Sequence, residues 1–482
     1  MLNKNKDFKI DVTSEIGNLR CLLIHSPDSG LGKVVPSKAQ DWLFEDIVHL
    51  DTMRKNEYDY YVKLLMYFLD PDKIKGKLQY IDSAESDRSF FKPDNKNFHA
   101  SDKVIELQNL LADILIEDDI RKKLVASVCA IESCTYKMQQ QLIDTHPVEL
   151  AKIFISGSLD SDEMIFAPIP NLIFSRDIGI AINNHMLLNK PAKKARSRET
   201  LLARYIFFNH PLFASYHDNI LEISENVHHF LRPGEDQEEK TTLEGGDVMM
   251  VSPQHLLIGC SERTSISGAN AAMKLLFDNN VVKKVTIVKI PHKRDYMHID
   301  TIFTQVKRNV WVMLGSLSAS KNEEEETDVV KWFTEKKSKD RTEIVQFEKG
   351  KSKPRLFKSL EDLLSDVSEN DLQSGKKTKF IYSGNDKFPY DAREQWTDSC
   401  NLLAVKEGVV LGYDRNDKTV EAFKKKGFEV IRVAELLQKF EAGELDPQKM
   451  KDTLILMPSS ELSRARGGFH CMSMPLLRDA II

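Results

Sequence analysis

GVVLGYDRNDKTVEAFKKKGFEVI, residues 408–431, sets a short uncharged run against an amphipathic one. The opening GVVLGY, residues 408–413, reads as a buried strand. The stretch that follows, KTVEAFKKKGFEVI at 418–431, reads as a helix, with Gly427 placed to end it before a returning strand. Strand alternating with helix is the signature of an α/β fold.

The same signal recurs in both directions along the chain. RCLLIH (20–25), HLLIG (255–259), VTIVKI (285–290), VWVML (310–314) and TLILM (453–457) read as further buried strands, and ANAAMKLLFDN (269–279) as another helix. No fixed period links them, so any repeat architecture is diverged at the level of sequence. With 482 residues the chain is too long for one ordinary core, and either one large domain with an insertion or two domains is expected.

Two regions break the pattern. From 84 to 153 the strand signal disappears, Val104, Leu107, Leu111 and Ile114 fall on one helical face, and more helix follows through KMQQQLIDT and PVELAKIF, which predicts a helical insertion. From 318 to 378 the text turns to KNEEEETDVV, EKKSKDRTE and EKGKSKPR, with one helical island at SLEDLLSDV. Such charge runs predict a solvated excursion from the core. Because long surface loops cost little closure entropy, removing residues 320–376 is expected to spare both fold and chemistry.

Composition excludes several classes. Hydrophobic residues at 41%, charged residues at 29% and a net charge of −5 give no global attraction to nucleic acid or to anionic membranes. The start MLNKNKDFKIDV lacks the apolar core of a signal peptide, and no later run is long enough to span a bilayer, so a cytoplasmic protein is expected. Six cysteines scattered without CxxC spacing argue against a disulfide framework and a zinc site.

Chemistry-bearing residues gather in four short stretches: PNLIFSRD (170–177), LEGGD (243–247), MHIDTIFT (297–304) and RARGGFHCMSMP (464–475). Leu172, Ile173 and Phe174 read as the end of a buried strand, with Asp177 emerging at its rim and in need of a cation. Gly245 and Gly246 give tight backbone beside Glu244 and Asp247, for which a plain turn is the commoner reading. His298 and Asp300, two apart, share a face in an extended segment. The pair Gly467 and Gly468 can present Arg466 and Cys471 on one irregular turn, where the thiol is either a small buried hydrophobe or a nucleophile. ARSRET (195–200) and SERTS (261–265) add arginines that, if they converge with Arg466, demand an anionic ligand.

Taken in order, GNLRCLLIHSP, WLFEDIVHLD, PNLIFSRD, ARSRET, LEGGD, SERTS, HIDTIFT, REQWTDSCNLLAV, GVVLGYDRN and RARGGFHCMSMPLLRD resemble arginine deiminases, guanidino-group-modifying enzymes of the pentein fold. The resemblance covers most of the chain. It implies a five-bladed α/β propeller built from residues 1–83 and 154–482, with the helical insertion at 84–153 and the charged excursion at 318–378 set into it. It also implies hydrolysis of L-arginine to L-citrulline and ammonia through a covalent thiouronium on cysteine. By the same resemblance Cys471 is the nucleophile and His298 the general acid and base. Asp177, Glu244 and Asp300 hold the guanidinium, Arg196, Arg263 and Arg466 hold the α-carboxylate, and Asn171 and Phe174 line the site. Ser175 stands where threonine is common, which keeps the hydroxyl. No metal or organic cofactor is implied, L-arginine is the expected small-molecule partner, neither nucleic acid nor membrane is expected, and a homo-oligomer is compatible. Rival readings are an amidinotransferase or arginine dihydrolase of the same fold, and a non-catalytic pentein that only binds. The completeness of the catalytic set weighs against the last.

Overall fold

The computed structural model describes residues 8–39, 41–83, 99–159, 163–224, 240–293, 295–317 and 342–481. Six of the apolar runs singled out as strands form them: Leu19–Ile24, His255–Cys260, Lys284–Lys289, Val310–Met313, Val409–Tyr413 and Thr453–Met457. The helix expected at 418–431 is Asp417–Lys425, and the strand after Gly427 is Glu429–Arg432. The chain is therefore mixed α/β.

Among the described residues the strands fall into five separate sheets. The sheets share one three-strand unit, an antiparallel pair whose second strand also runs parallel to a third. In one sheet Gly179–Ile182 pairs with His185–Leu188, which pairs with Ile220–Leu221. Val248–Ser252, His255–Cys260 and Lys284–Lys289 repeat the pattern, as do Phe303–Lys307, Val310–Met313 and Lys379–Tyr382. Leu403–Lys406, Val409–Tyr413 and Thr453–Met457 follow, with Glu429–Arg432 beside the last. The final unit joins the two ends of the chain: Met474–Arg478 lies antiparallel to Leu19–Ile24, which is parallel to Val104–Glu106. A repeat made by hydrogen-bond topology leaves no periodic residue pattern, which is why the sequence hid it.

Helices cover the sheets. The run from Leu50 to Leu69 is helical throughout, and Tyr61, Leu65, Phe68 and their neighbours are buried against Phe440 and Phe469. Within the stretch read as purely helical, Val104–Glu106 is a strand; at three residues it is too short to show a period of two. The rest of that stretch, where described, is helical as expected: Leu107–Ile114, Asp118–Glu132, Tyr136–Asp144 and Pro147–Ser156. Leu107, Leu111, Leu124, Val128, Leu150 and Phe154 share one core cluster with Met186, Leu188, Met474 and Leu476 of the sheets.

The charged stretch needs a correction. Residues 318–341 lie outside the described residues, but 342–378 is no solvated excursion. Glu343–Glu348 pairs along its whole length with Lys284–Lys289, with Ile344 and Gln346 buried on one face and Glu343 exposed on the other. The helix Leu360–Asp366, capped by the Ser359 hydroxyl, buries Leu360, Leu363 and Leu364 in the cluster around Trp311. Trp311 donates its indole N–H to Ser368 Oγ at 3.0 Å. Averaging charge over the segment masked a period-two strand and an amphipathic helix.

Each three-strand unit begins just after irregular backbone. Short 3₁₀ turns at Ser175–Ile178, Gly245–Asp247 and Ile299–Thr301 precede Gly179, Val248 and Phe303. Asn401 precedes Leu403, and Cys471 precedes Met474, in the same relative place. Side chains at these five entries are the ones that meet.

Candidate active site

Asp177, Glu244 and His298 meet at one end of the site. The Asp177 turn is tied to the Cys471 turn by a hydrogen bond from Arg176 N–H to the Cys471 carbonyl at 3.0 Å. Asp177 Oδ1 accepts from Gly246 N–H at 3.1 Å, and Glu244 Oε2 lies 3.1 Å from His298 Nε2. Asp247 accepts from Ile299 N–H at 3.0 Å and Ser261 Oγ at 2.6 Å, which fixes the turn that carries His298 and Asp300. A side-chain carbon at Gly246 would lie 2.5 Å from His298 Nδ1, so the imidazole occupies space that only glycine leaves.

Cys471 and Asp300 form the second group. Cys471 Sγ is 3.4 Å from Asp300 Oδ2, which also receives His470 Nδ1 at 2.9 Å. His470 Nε2 continues to Glu15 Oε2 at 3.2 Å, and Arg176 donates to Glu15 at 3.3 and 3.4 Å. Asp300 Oδ1 is buried and makes no hydrogen bond to the described residues, leaving an acceptor beside the sulfur. Burial, with Asp300, Asp177 and Asp398 nearby, pushes the Cys471 thiol well above its ordinary range. The sulfur is therefore protonated at neutral pH in these surroundings.

The three arginines do not act alike. Arg263 reaches Met297 Sδ at 3.8 Å, and its Nε is buried without a hydrogen-bond partner among the described residues. Arg466, at a left-handed φ of 61°, stacks its guanidinium 3.4 Å from the centre of the Trp396 ring. Arg196 donates through Nη1 to Asp177 Oδ2 and Glu244 Oε2, both at 2.9 Å, and through Nε to Glu199 Oε2 at 2.8 Å. The resemblance assigned it to an α-carboxylate; here it fills the place assigned to a guanidinium. That helps explain why the cavity has a volume of only about 30 Å³, room for a water or two.

Asn171, Phe174, Asp177, Arg196, Glu244, Arg263, His298, Arg466 and Cys471 all line this cavity, and Asp300 is packed against the Cys471 sulfur. The segment PNLI is a 3₁₀ turn and not the strand end expected, because Pro170 fixes φ and lacks the N–H a ladder needs. Among the described residues, one trio has metal-ligand spacing, Asp177, Glu244 and His298, whose ligand atoms lie within 4.8 Å of one another. Arg196 already supplies a cation to both carboxylates. Residue-by-residue reading passed over Glu15, Glu199, Asn401 and Asp398; burial without apolar character was the signal, and it is invisible in one sequence.

Electrostatics at His298 yields a stability prediction. Burial opposes its protonation, but Asp177, the Glu244 hydrogen bond and Asp247 outweigh it and raise the pKa from 6.5 to about 10. A histidine whose folded pKa is raised contributes stability that is complete below its unfolded pKa and lost as pH climbs through the folded one. The thermal midpoint should therefore fall between about pH 6.5 and 10, and His298→Gln should flatten that decline. A decline of the same steepness in the variant would assign it to another group.

A thiol next to carboxylates that already clasp a guanidinium points to enzymes that act on guanidino groups through cysteine. The chain belongs to the arginine deiminase family: a family model described as arginine deiminase matches residues 131–438 and 439–478. It is 30% identical over 486 aligned residues to the arginine deiminase of Treponema denticola, covering 98% of this chain and 99% of that one. Against the arginine deiminase of Borreliella afzelii the identity is also 30%, with 98% of each covered. A solved structure of an amidinotransferase of saxitoxin biosynthesis from Microseira wollei superposes with a TM-score of 0.47 at 12% identity, over 98% of each chain. No helix among the described residues is long and apolar enough to cross a membrane.

Proposed function

We propose that this protein hydrolyses L-arginine to L-citrulline and ammonia, in the cytoplasm, on a pentein propeller whose five blades are the five sheets. The observation that carries the reading is the guanidinium of Arg196 held by Asp177 and Glu244, a built-in stand-in for the substrate's. Six free cysteines fit a reducing compartment.

Bound arginine displaces Arg196 from the two carboxylates and places its own guanidinium there. Charge-assisted bonds to Asp177, Glu244 and Asp300 fix the central carbon, each worth about 1.5–3 kcal/mol. The incoming cation offsets the acidic surroundings of Cys471 and favours the thiolate, the thiol proton passing to solvent as the substrate enters. Sulfur attacks the guanidinium carbon, His298 gives its proton to the departing nitrogen, and ammonia leaves a thiouronium on Cys471. Neutral His298 then takes a proton from water as the oxygen adds to the same carbon. Collapse breaks the carbon–sulfur bond and sends the hydroxyl proton to solvent, releasing citrulline and the thiolate. Arg263 and Arg466, joined by the displaced Arg196, pair with the substrate α-carboxylate.

Purified protein given L-arginine should form citrulline and ammonia in equal amounts, with no ornithine and no amidino transfer to an added amine. Either of those products would favour the dihydrolase or transferase reading instead. Arg263→Ala and Arg466→Ala should each weaken kcat/KM by about 2–5 kcal/mol, chiefly through KM, because truncation leaves a buried carboxylate unpaired. Agmatine, which lacks that carboxylate, should be a poor substrate for the native enzyme and no worse for the variants. Equal turnover of agmatine and arginine by the native enzyme would remove the arginines from this role.

A further inference from the structure

Asn401 has no part in the scheme above, yet it touches the reacting atom. Its amide is held in one orientation by complete hydrogen bonding. Oδ1 accepts the Cys471 backbone N–H at 3.0 Å, while Nδ2 donates both to the Asp300 carbonyl at 3.2 Å and to Cys471 Sγ at 3.1 Å. Exchanging the oxygen and nitrogen of the amide would set two donors face to face at Cys471 N–H and two acceptors face to face at the Asp300 carbonyl, so the donor must point at sulfur. Asn401 is 1% exposed, and its carbonyl and side chain fill the space a side chain at Gly468 would need, with the nearest approach 2.4 Å.

Topology supplies an independent observation. Four of the five sheet entries provide groups the mechanism uses: Asp177 before Gly179, Glu244 before Val248, His298 and Asp300 before Phe303, and Cys471 before Met474. The remaining entry, before Leu403, provides Asn401.

We propose that Asn401 is a catalytic residue whose side-chain N–H is the hydrogen-bond donor that stabilises the Cys471 thiolate as it forms. The proposal rests on Cys471 being the nucleophile. The charged and titratable groups that face the sulfur are Asp300, Asp177 and Asp398, which oppose ionisation, with His470 and Arg466 close behind. Tyr413 packs on the other side with its hydroxyl bonded to the Gly467 carbonyl at 2.7 Å. Of these neighbours, Asp300 accepts a hydrogen bond from the thiol and Asn401 donates one to the sulfur. When the proton leaves, the Asp300 contact turns repulsive and the Asn401 contact becomes charge-assisted.

The test compares the native enzyme with Asn401→Asp, which keeps the Oδ1 acceptor and replaces the donor, and Asn401→Leu, which keeps the volume alone. Alkylation by iodoacetamide is followed on the peptide that carries Cys471, from about pH 7 to about pH 10, without arginine. In both variants the rise of rate with pH should move up by about one unit or more, and kcat for arginine should fall at least about ten-fold with little change in KM. A folded variant, judged by circular dichroism and thermal midpoint, whose alkylation profile matches the native one would overturn the proposal. If one variant fails to fold, the other carries the comparison, and Asn401→Ala serves if both do. Alkylation is read without turnover, so native protein that made no citrulline would sink the deiminase reading while leaving this result interpretable.

Discussion

Cys471→Ser should lose arginine turnover by on the order of a million-fold, the scale on which removing an enzyme's nucleophile acts. Serine is nearly isosteric, so the turn from Gly467 to Ser473 and its hydrogen bonds to Asn401 and Arg176 should persist. The effect is chemical. A hydroxyl beside Asp300 is protonated under any condition the fold survives, and no group stands poised to take its proton: His298 carries one already, and Asp300 is bonded to His470 with its own pKa lowered, against burial, by that histidine. Native enzyme quenched with acid during turnover should carry added mass equal to arginine minus ammonia on the Cys471 peptide, and the variant should carry none. Citrulline production by the variant at even a hundredth of the native rate would end the case for covalent catalysis at this thiol.

Removing residues 343–376 should cost the protein its cooperative fold. Ile344, Leu360, Leu363, Leu364, Val367 and Leu372 are all 2% exposed or less, and they sit in one cluster with Trp311. Truncating a single buried aliphatic side chain of this size costs about 2–5 kcal/mol, and whole domains are stable by only about 5–15 kcal/mol. Loss of two or three would exhaust that margin, before counting the exposed edge left on Lys284–Lys289. The deletion variant should therefore appear in inclusion bodies or show no sigmoidal melt by circular dichroism. A soluble variant with a sharp transition and citrulline activity would return the segment to the status of a surface loop.

How far the sequence could be read depended on the length scale of each signal. Uncharged runs such as VWVML and TLILM declared their strands because burial on both faces removes polar residues altogether. Val104–Glu106 did not, since three residues carry no period. The helix Leu360–Asp366 was noticed but placed in solvent, because lysine and glutamate on either side outweighed its own apolar face. For the site, the matched motifs named residues that line one cavity, and the glycine at 246 was legible as tight backbone. Two things were not. The hold of Arg196 on Asp177 and Glu244 was one, because resemblance reports a residue's role beside substrate and says nothing of its other partners. Asn401 escaped notice within REQWTDSCNLLAV because an asparagine before a strand ordinarily means a turn; only its distance to a sulfur in a different sheet sets it apart.

The pairing of Met474–Arg478 with Leu19–Ile24 has a consequence for when activity can begin. Synthesis runs from the amino end, and domains fold as their residues leave the ribosome. Leu19–Ile24 emerges among the first strands, and its hydrogen-bonding edge waits for a partner made about 450 residues later. Until that partner arrives, Cys471 has no sheet to stand on, and Arg176, Asn401 and Asp300 have no turn to bind. Ribosome-bound chains arrested before residue 474 should therefore show no turnover. Catalysis in this fold waits for Met474–Arg478 to be made, and a chain interrupted before that strand stays chemically silent.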